Sequence, residues 1–288
     1  MKTYLFVNPL SGHYSATRFQ AILNLLRIDG ITPEVFRVNT PAEIAAHCTL
    51  IDQEMETPLV IVAGGDGTIN AVVNALKPGS TTLAILPLGT SNVLAAEIGI
   101  SSIEDGLEKI AAGASRSFSV GVLEREDRSH RFLLMAGIGL DGAVVRDVWP
   151  LGKRLLRQGA YVLSALKSAL VWDTSVFEVS TPKGVITCHT AIVCNASRYG
   201  GNFILSPGCS LFSSGLSAVC ITGRTRRAYL SSALDLFRGR SGTSRDLVRV
   251  HSSSFEIRGR RPIQIDGDFV GYGPAHISEL ADFARIIV

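Results

Sequence analysis

No stretch of eighteen uninterrupted apolar residues occurs in the 288-residue chain, so nothing in it reads as a helix able to span a bilayer. A basic segment feeding an apolar leader is missing as well: the first apolar run, Tyr4 to Val7, ends at Asn8-Pro9, and the expected location is the cytoplasm. The five cysteines, Cys48, Cys188, Cys194, Cys209 and Cys220, are odd in number and lack metal-ligand spacing; they read as buried thiols of a reducing compartment. His13, His47, His130, His189, His251 and His276 are scattered, without the two- or four-residue pairing of a metal site. Ser91 follows Gly89-Thr90 but has no Gly-x-Ser-x-Gly elbow, which argues against a serine hydrolase. The first strand is not followed by Gly-x-Gly-x-x-Gly, which argues against a dinucleotide oxidoreductase. No internal repeat is present.

What remains is a compactly folding composition, 46% apolar and 18% charged, long enough for about two domains. The net charge of +3 conceals an arginine-rich last quarter: Arg224, Arg226, Arg227, Arg238, Arg240, Arg245, Arg249, Arg258, Arg260 and Arg261. Such a surface suits anionic lipid, an acidic partner or solvent. No recognition helix, zinc finger or aromatic-interleaved basic tract accompanies it, so nucleic acid is not an expected partner.

Through about residue 116 short apolar runs alternate with helical patterns. Strands are expected at Tyr4–Val7, Glu34–Val38, Leu59–Val62 and Leu83–Leu86. Helices are expected from Ser15 or Ala16 to Arg27, after an N-cap at Thr40 with Pro41 first and Glu43 completing a capping box, and at 69–76, 92–97 and 103–111. This βα alternation predicts an α/β domain with a mostly parallel sheet and helices on both faces. From about residue 117 to 288 the pattern changes to many alternating strands: 117–123, 131–136, 176–180, 185–194, 215–221, 246–251, 254–258 and 263–266, interrupted by helices near 155–171 and 225–237. That predicts a β-rich, sandwich-like second domain. The last run, Phe283 to Val288, could return to either domain.

Three polar turns fall at strand carboxyl ends, where an open parallel sheet binds its ligands. The most informative is Gly64-Gly65-Asp66-Gly67-Thr68, between an apolar strand and a helix. Glycines there remove Cβ atoms that would hold a polyphosphate away from the backbone, and a helix N-terminus supplies N–H groups. Asp66 beside phosphate calls for a divalent cation between them or a hydroxyl nucleophile to orient, which points to nucleotide chemistry. The others are Asn8-Pro9-Leu10-Ser11-Gly12 and Pro87-Leu88-Gly89-Thr90-Ser91-Asn92.

These motifs, with Gly137-Ile138-Gly139-Leu140-Asp141 and Gln264-Ile265-Asp266-Gly267-Asp268, stand in the order and approximate spacing of the diacylglycerol kinase catalytic domain superfamily. The chain resembles a soluble bacterial lipid kinase of that group over nearly its whole length. The Gly-Gly-Asp-Gly-Thr motif alone is shared with NAD kinases. The resemblance implies a nucleotide-binding α/β domain, a β-rich lipid-binding domain, and phosphorylation of a lipid hydroxyl with ATP and Mg²⁺. It implies that Asn8, Ser11, Gly12, Thr40, Gly64, Gly65, Gly67, Thr68 and Thr90 bind the nucleotide, with Asp66 at the metal. Asp266 matches the family's catalytic carboxylate, and Asp268 the acidic residue that accompanies it. Transient contact with a membrane surface follows from a lipid acceptor, and several bacterial relatives are homodimers.

Two departures stand out. Ser91-Asn92-Val93 replaces a Gly-Asn-Asp frequent in relatives. The stretch Ser206 to Gly215 has no carboxylate where many relatives hold a structural Mg²⁺, so that second metal is not expected. An amphipathic wall for acyl chains is expected from Val144 to Val171, including Trp149, Leu155 and Tyr161. Two further readings stay open: a kinase for NAD or another small alcohol, and a nucleotide- or lipid-binding regulator without turnover.

Overall fold

The computed structural model describes residues 2–126, 128–147, 175–199, 203–223, 225, 227–228, 231–232 and 246–288. The expected helix at 155–171, most of that at 225–237, and most of the proposed acyl wall lie outside the described residues, as do Gly200-Gly201-Asn202 and Arg224, Arg226, Arg238, Arg240 and Arg245. Two compact units are formed, the first from residues 2–120 and 280–288, the second from 121–199 and 203–279. No helix among the described residues is long and apolar enough to cross a membrane.

The first unit contains β1 (Thr3–Val7), α1 (Ala16–Ile28), β2 (Glu34–Arg37), α2 (Pro41–Ile51), β3 (Leu59–Gly64), α3 (Asp66–Ala75), β4 (Thr82–Pro87), α4 (Val93–Glu97) and α5 (Ile103–Ala112). Its strands pair in parallel in the order β2-β1-β3-β4. Alternation along each strand sets the two faces. Leu5, Val7, Ile61, Ala63, Ala84 and Leu86 form one core with Phe19, Ile22 and Leu26 of α1 and Leu107 and Ile110 of α5. Phe6 turns the other way, its ring 6.2 Å from that of His47 on α2. Helix starts follow local chemistry: Ser15 and Ser102 accept N–H bonds from Arg18 and Asp105, and Thr40 and Glu43 form the expected capping box.

The second unit is built on β5 (Ser115–Arg125), β6 (Arg128–Phe132), β7 (Met135–Gly139), α6 (Leu140–Asp147), β8 (Phe177–Thr181), β9 (Gly184–Cys188), β10 (Thr190–Cys194), β11 (Leu216–Ile221), β12 (Leu247–Ser252), β13 (Ser254–Arg258), β14 (Pro262–Ile265), β15 (Asp268–Tyr272) and β16 (Ala275–Ile287). Strands β5 and β16 each run through both units. One antiparallel sheet is ordered β12-β11-β10-β7-β14-β15; in the other, β13 lies between β8 and the start of β16. Ala136, Ile138, Ala191, Val193 and Ile263 from the first sheet share a core with Phe177, Val179, Phe255, Ile257 and Ile277 from the second. The architecture is therefore α/β followed by β-rich.

Two strands expected as single runs are each divided. Residues 131–136 break between β6 and β7 because the N–H groups of Leu133, Leu134 and Met135 turn to the Asp266 carboxylate. Residues 185–194 bend at His189, so that β9 and β10 join opposite sheets. The end of β16 pairs in parallel with β4, Arg285 against Thr82 and Ile286 against Leu83, which gives the final run its place in the first unit.

Candidate nucleotide site and the carboxylate turn

Strands β1, β3 and β4 end side by side, Val7 opposite Ala63 and Gly64 opposite Pro87. Their loops are laced together by backbone bonds: Asn8 N–H to Ala63 C=O (3.2 Å), Leu88 N–H to Gly64 C=O (3.0 Å) and His13 N–H to Leu88 C=O (3.0 Å). Beside them opens a cavity of about 320 Å³ lined by Asn8, Ser11, Thr40, Gly65, Gly67 and Thr68, all expected from the sequence. That volume is at the small end of the range of ligand sites. Gly12, Gly64, Asp66 and Thr90 lie in the same segments but do not line it. Asn39, Pro41, Ile44, Ala71 and Gly89 do, and were not expected. Ile44 was legible in principle, one helical turn beyond Pro41 on the face that carries the N-cap.

Most of these glycines answer to packing between loops, which corrects the simple cradle argument. A Cβ on Gly89 would collide with the Gly65 Cα and stand 2.7 Å from Asn92 Oδ1. One on Gly64 would be 2.7 Å from the Thr68 Cβ, and one on Gly12 2.7 Å from Thr90 Oγ1. At Gly67 a Cβ would meet nothing within 4 Å. Gly89→Ala is therefore expected to destabilise the fold by about 1–3 kcal/mol through overpacking. Gly67→Ala should keep or raise stability, since alanine is the better helix former. Paired thermal melts check this; equal melting temperatures would refute the loop-contact account.

Within the cavity, Asn8 Nδ2 donates to Thr68 Oγ1 (3.1 Å) and Asn8 Oδ1 accepts the Leu10 N–H (2.9 Å). The Thr40 hydroxyl accepts the Glu43 N–H (3.3 Å), so it serves its own helix first. Helix α3 starts at Gly65 with no side-chain cap. Such an end lets a helix N-terminus face an anion.

Asp66 has a structural task that sequence alone did not reveal. Its two carboxylate oxygens accept the N–H groups of Val93 (3.1 Å) and Leu94 (3.0 Å), capping α4 from another loop. Asn92, the residue at that helix start, is left-handed (φ 47°) and supplies no side-chain cap. A magnesium ion takes oxygen ligands, commonly one or two carboxylates with substrate phosphates and water. Asp66 fits as that carboxylate, because each oxygen retains lone-pair capacity. Asn92 Oδ1, buried and without a hydrogen-bond partner, is a second hard donor close in sequence to the N–H groups Asp66 accepts. Among the described residues no three His, Cys, Asp or Glu side chains cluster to hold a metal unaided.

The second unit carries the other two expected carboxylates. Asp266 and Gly267 form the two-residue turn between β14 and β15, both with positive φ (46° and 90°), the backbone of a type I′ hairpin for which Asp-Gly is suited. The Asp266 carboxylate folds back and accepts N–H bonds from Leu133 (2.7 Å), Leu134 (2.9 Å) and Met135 (2.9 Å). Asp268 opens β15 and is exposed. Asp141, in the first turn of α6, is buried; burial pushes its carboxyl above the ordinary range, while hydrogen bonds from Tyr199 and Gln264 pull the other way. Gly137, Gly139 and Gly142 have Gly-x-Gly-x-x-Gly spacing, yet the space above each is filled by protein: the Asp141 carboxylate, the His189 carbonyl and the Pro262 carbonyl respectively. They are close-packing glycines and form no cradle.

Comparison with known proteins bears on both units. Residues 2–123 match the family model of the diacylglycerol kinase catalytic domain. A diacylglycerol kinase of Bacillus subtilis is 24% identical over 264 residues, covering 86% of this chain and 84% of that protein. One from Mycobacterium tuberculosis is 25% identical over 302 residues, covering 99% and 94%. Among solved structures, a diacylglycerol kinase from Bacillus anthracis superposes with a TM-score of 0.76 at 18% identity, covering 99% of this chain and 96% of that one. An NAD kinase from Archaeoglobus fulgidus in complex with ATP gives 0.57 at 13% identity, covering 100% and 94%. The structural matches establish the fold.

Proposed function

We propose, for a chain that belongs to the diacylglycerol kinase catalytic domain superfamily, that it transfers the γ-phosphoryl group of ATP to the hydroxyl of diacylglycerol or a related lipid. At the family level it is a lipid-kinase-like, ATP-dependent phosphotransferase; the acceptor and the residue roles are our reading. The observation that carries it is the cavity at the ends of β1, β3 and β4, where Asn8, Ser11, Gly65, Gly67 and Thr68 converge beside an uncapped helix start.

In this reading the nucleotide lies in that cavity, its phosphates toward Gly65, Gly67 and Thr68, with Ser11 and Asn8 as neutral donors. Ile44 and Ala71 offer an apolar wall for its base or sugar. Asp66, together with the phosphates, would hold a magnesium ion, which would supply charge neutralisation for the phosphoryl transfer. Asp266 accepts the proton of the lipid hydroxyl as the new P–O bond forms and ADP departs. Asp268, exposed beside it, keeps the mouth of the turn acidic. A lipid acceptor implies transient contact with a membrane surface, which the arginine-rich last quarter of the chain suits.

The test is transfer of labelled γ-phosphate from ATP to diacylglycerol and to a total-lipid extract in detergent micelles, with Mg²⁺. A labelled phospholipid is the expected product. Label on NAD or another water-soluble alcohol, and none on lipid, would favour the small-alcohol kinase that shares the fold. ATP binding without any product across divalent metals would leave a nucleotide-binding regulator.

A further inference from the structure

Among the described residues, the Asp266-Gly267 turn sits at the edge of its sheet, since β15 is the end strand and pairs with β14 alone. Its geometry must therefore be fixed from one side. Part of the fixing is direct: the Asp266 N–H donates to the Met135 carbonyl (3.0 Å), and its carboxylate accepts the three N–H groups at the start of β7. A further part comes through a buried side-chain chain that the phosphoryl transfer itself does not use.

Gln264 is 2% exposed. Its neighbours Ile263 and Ile265 point into the core, so strand alternation turns Gln264 to the other face of β14. There its Oε1 accepts the Gly267 N–H (2.8 Å) and its Nε2 donates to Asp141 Oδ2 (2.7 Å). The other Asp141 oxygen accepts the Tyr199 hydroxyl. With an N–H donor on one side and a carboxylate on the other, only one orientation of the Gln264 amide satisfies both. The arrangement is built in from a second direction. A Cβ on Gly137 would land on the Asp141 carboxylate and stand 2.7 Å from Gln264 Nε2, so glycine is required where that bond passes. Gly142 lets α6 press against the Pro262 carbonyl of β14.

We infer that Gln264 and Asp141 are positioning residues that hold the Asp266 carboxylate in place through the Gly267 N–H. This rests on reading Asp266 as the reacting carboxylate. Among the described residues, the elements packed most extensively on α6 are β7, β10, β14 and β15. Among them the titratable groups are Cys194 on β10 and Asp268 and Tyr272 on β15; α6 itself adds Arg146 and Asp147, which pair with each other at 2.7 Å. The hydrogen-bonding side chains on Asp141 are those of Tyr199 and Gln264. Because a tyrosine oxygen accepts as well as donates, a proton on the Asp141 oxygen facing Tyr199 leaves the Gln264 bond intact. The clamp thus holds in either charge state of Asp141.

The decisive experiment reverses its polarity. Gln264→Leu removes the acceptor for Gly267 and should accelerate amide exchange at that N–H and lower kcat by about 100-fold, with the KM for ATP unchanged, as expected for sub-ångström misplacement of a reacting group. Gln264→Glu sets two carboxylates against each other, so Gly267 protection and kcat should fall at alkaline pH and return in acid, where a bridging proton joins them. In the double variant Asp141→Asn/Gln264→Glu the introduced amide donates to the introduced carboxylate while its oxygen accepts the Tyr199 hydroxyl, and both readouts should recover at every pH. A merely space-filling role predicts neither the pH profile nor the rescue. Unchanged Gly267 exchange in Gln264→Leu, or a double variant as impaired as Gln264→Glu, overturns the inference. Should the wild type phosphorylate no acceptor, the proposed function fails, and Gly267 exchange in the same proteins still decides the clamp.

Discussion

Replacing Asp266 by alanine is expected to lower turnover by about 10²–10⁴-fold, the usual contribution of a positioned general base, while ATP affinity stays at the wild-type level. The two effects separate because every residue lining the nucleotide cavity belongs to the first unit and Asp266 to the second. A folding penalty accompanies the loss, since three N–H groups, of Leu133, Leu134 and Met135, lose an anionic acceptor. At about 1.5–3 kcal/mol for each hydrogen bond to a charged group, the three together come to about 4.5–9 kcal/mol, less whatever water restores at this part-buried turn. Asp266→Asn distinguishes chemistry from folding. Asparagine tolerates the left-handed backbone found at this position, and its oxygen can keep two of the three N–H bonds. The smaller loss of stability should come with the full loss of turnover. Thermal melts, ATP titration and lipid phosphorylation on the same samples check this; an Asp266→Asn enzyme that turns over like the wild type rules out proton acceptance by this residue.

Asp66→Ala should damage three properties together. Turnover falls because the carboxylate proposed to hold the metal is gone. ATP affinity falls in Mg²⁺ but not in its absence. Stability falls by about 1–2 kcal/mol, because Val93 and Leu94 at the start of α4 lose their cap and Asn92 cannot replace it. The metal dependence is the discriminating quantity: a structural role alone lowers the melting temperature and leaves the Mg²⁺ effect on ATP affinity as it was. Equal ATP affinity of wild type and variant in Mg²⁺ would remove Asp66 from the metal site.

Features set by near neighbours in sequence were legible. Strands β1, β3 and β4 are short apolar runs closed by polar turns, and the Thr40-Pro41-Ala42-Glu43 start of α2 encodes its own capping box. Most of the cavity lining followed from them. What escaped depends on partners far along the chain. Asp66 caps a helix that starts 27 residues later, and Asp266 breaks a strand more than 130 residues earlier. The reason for Gly65 is Gly89, and the reason for Gly137 is Asp141 and Gln264. Strand β15 was missed because its first two residues are exposed and a glycine interrupts it, leaving no clear alternation to read.

The contact between Gly65 and Gly89, with Gly12 against Thr90 and the backbone bonds that lace the three loops, ties the glycine side of the cavity, where the phosphates are proposed to lie, into one closely packed body. A ligand meeting such a surface loses little affinity to ordering it, because those loops were ordered when the chain folded. In the proposed reading, discrimination among nucleotides would then fall to the part of the lining from the start of α2, Asn39, Thr40, Pro41 and Ile44. In the proposed nucleotide complex, the exposed side chains at that helix start, Asn39, Thr40 and Pro41, could be exchanged without disturbing the glycine contacts, so base preference and phosphate affinity would be free to change independently.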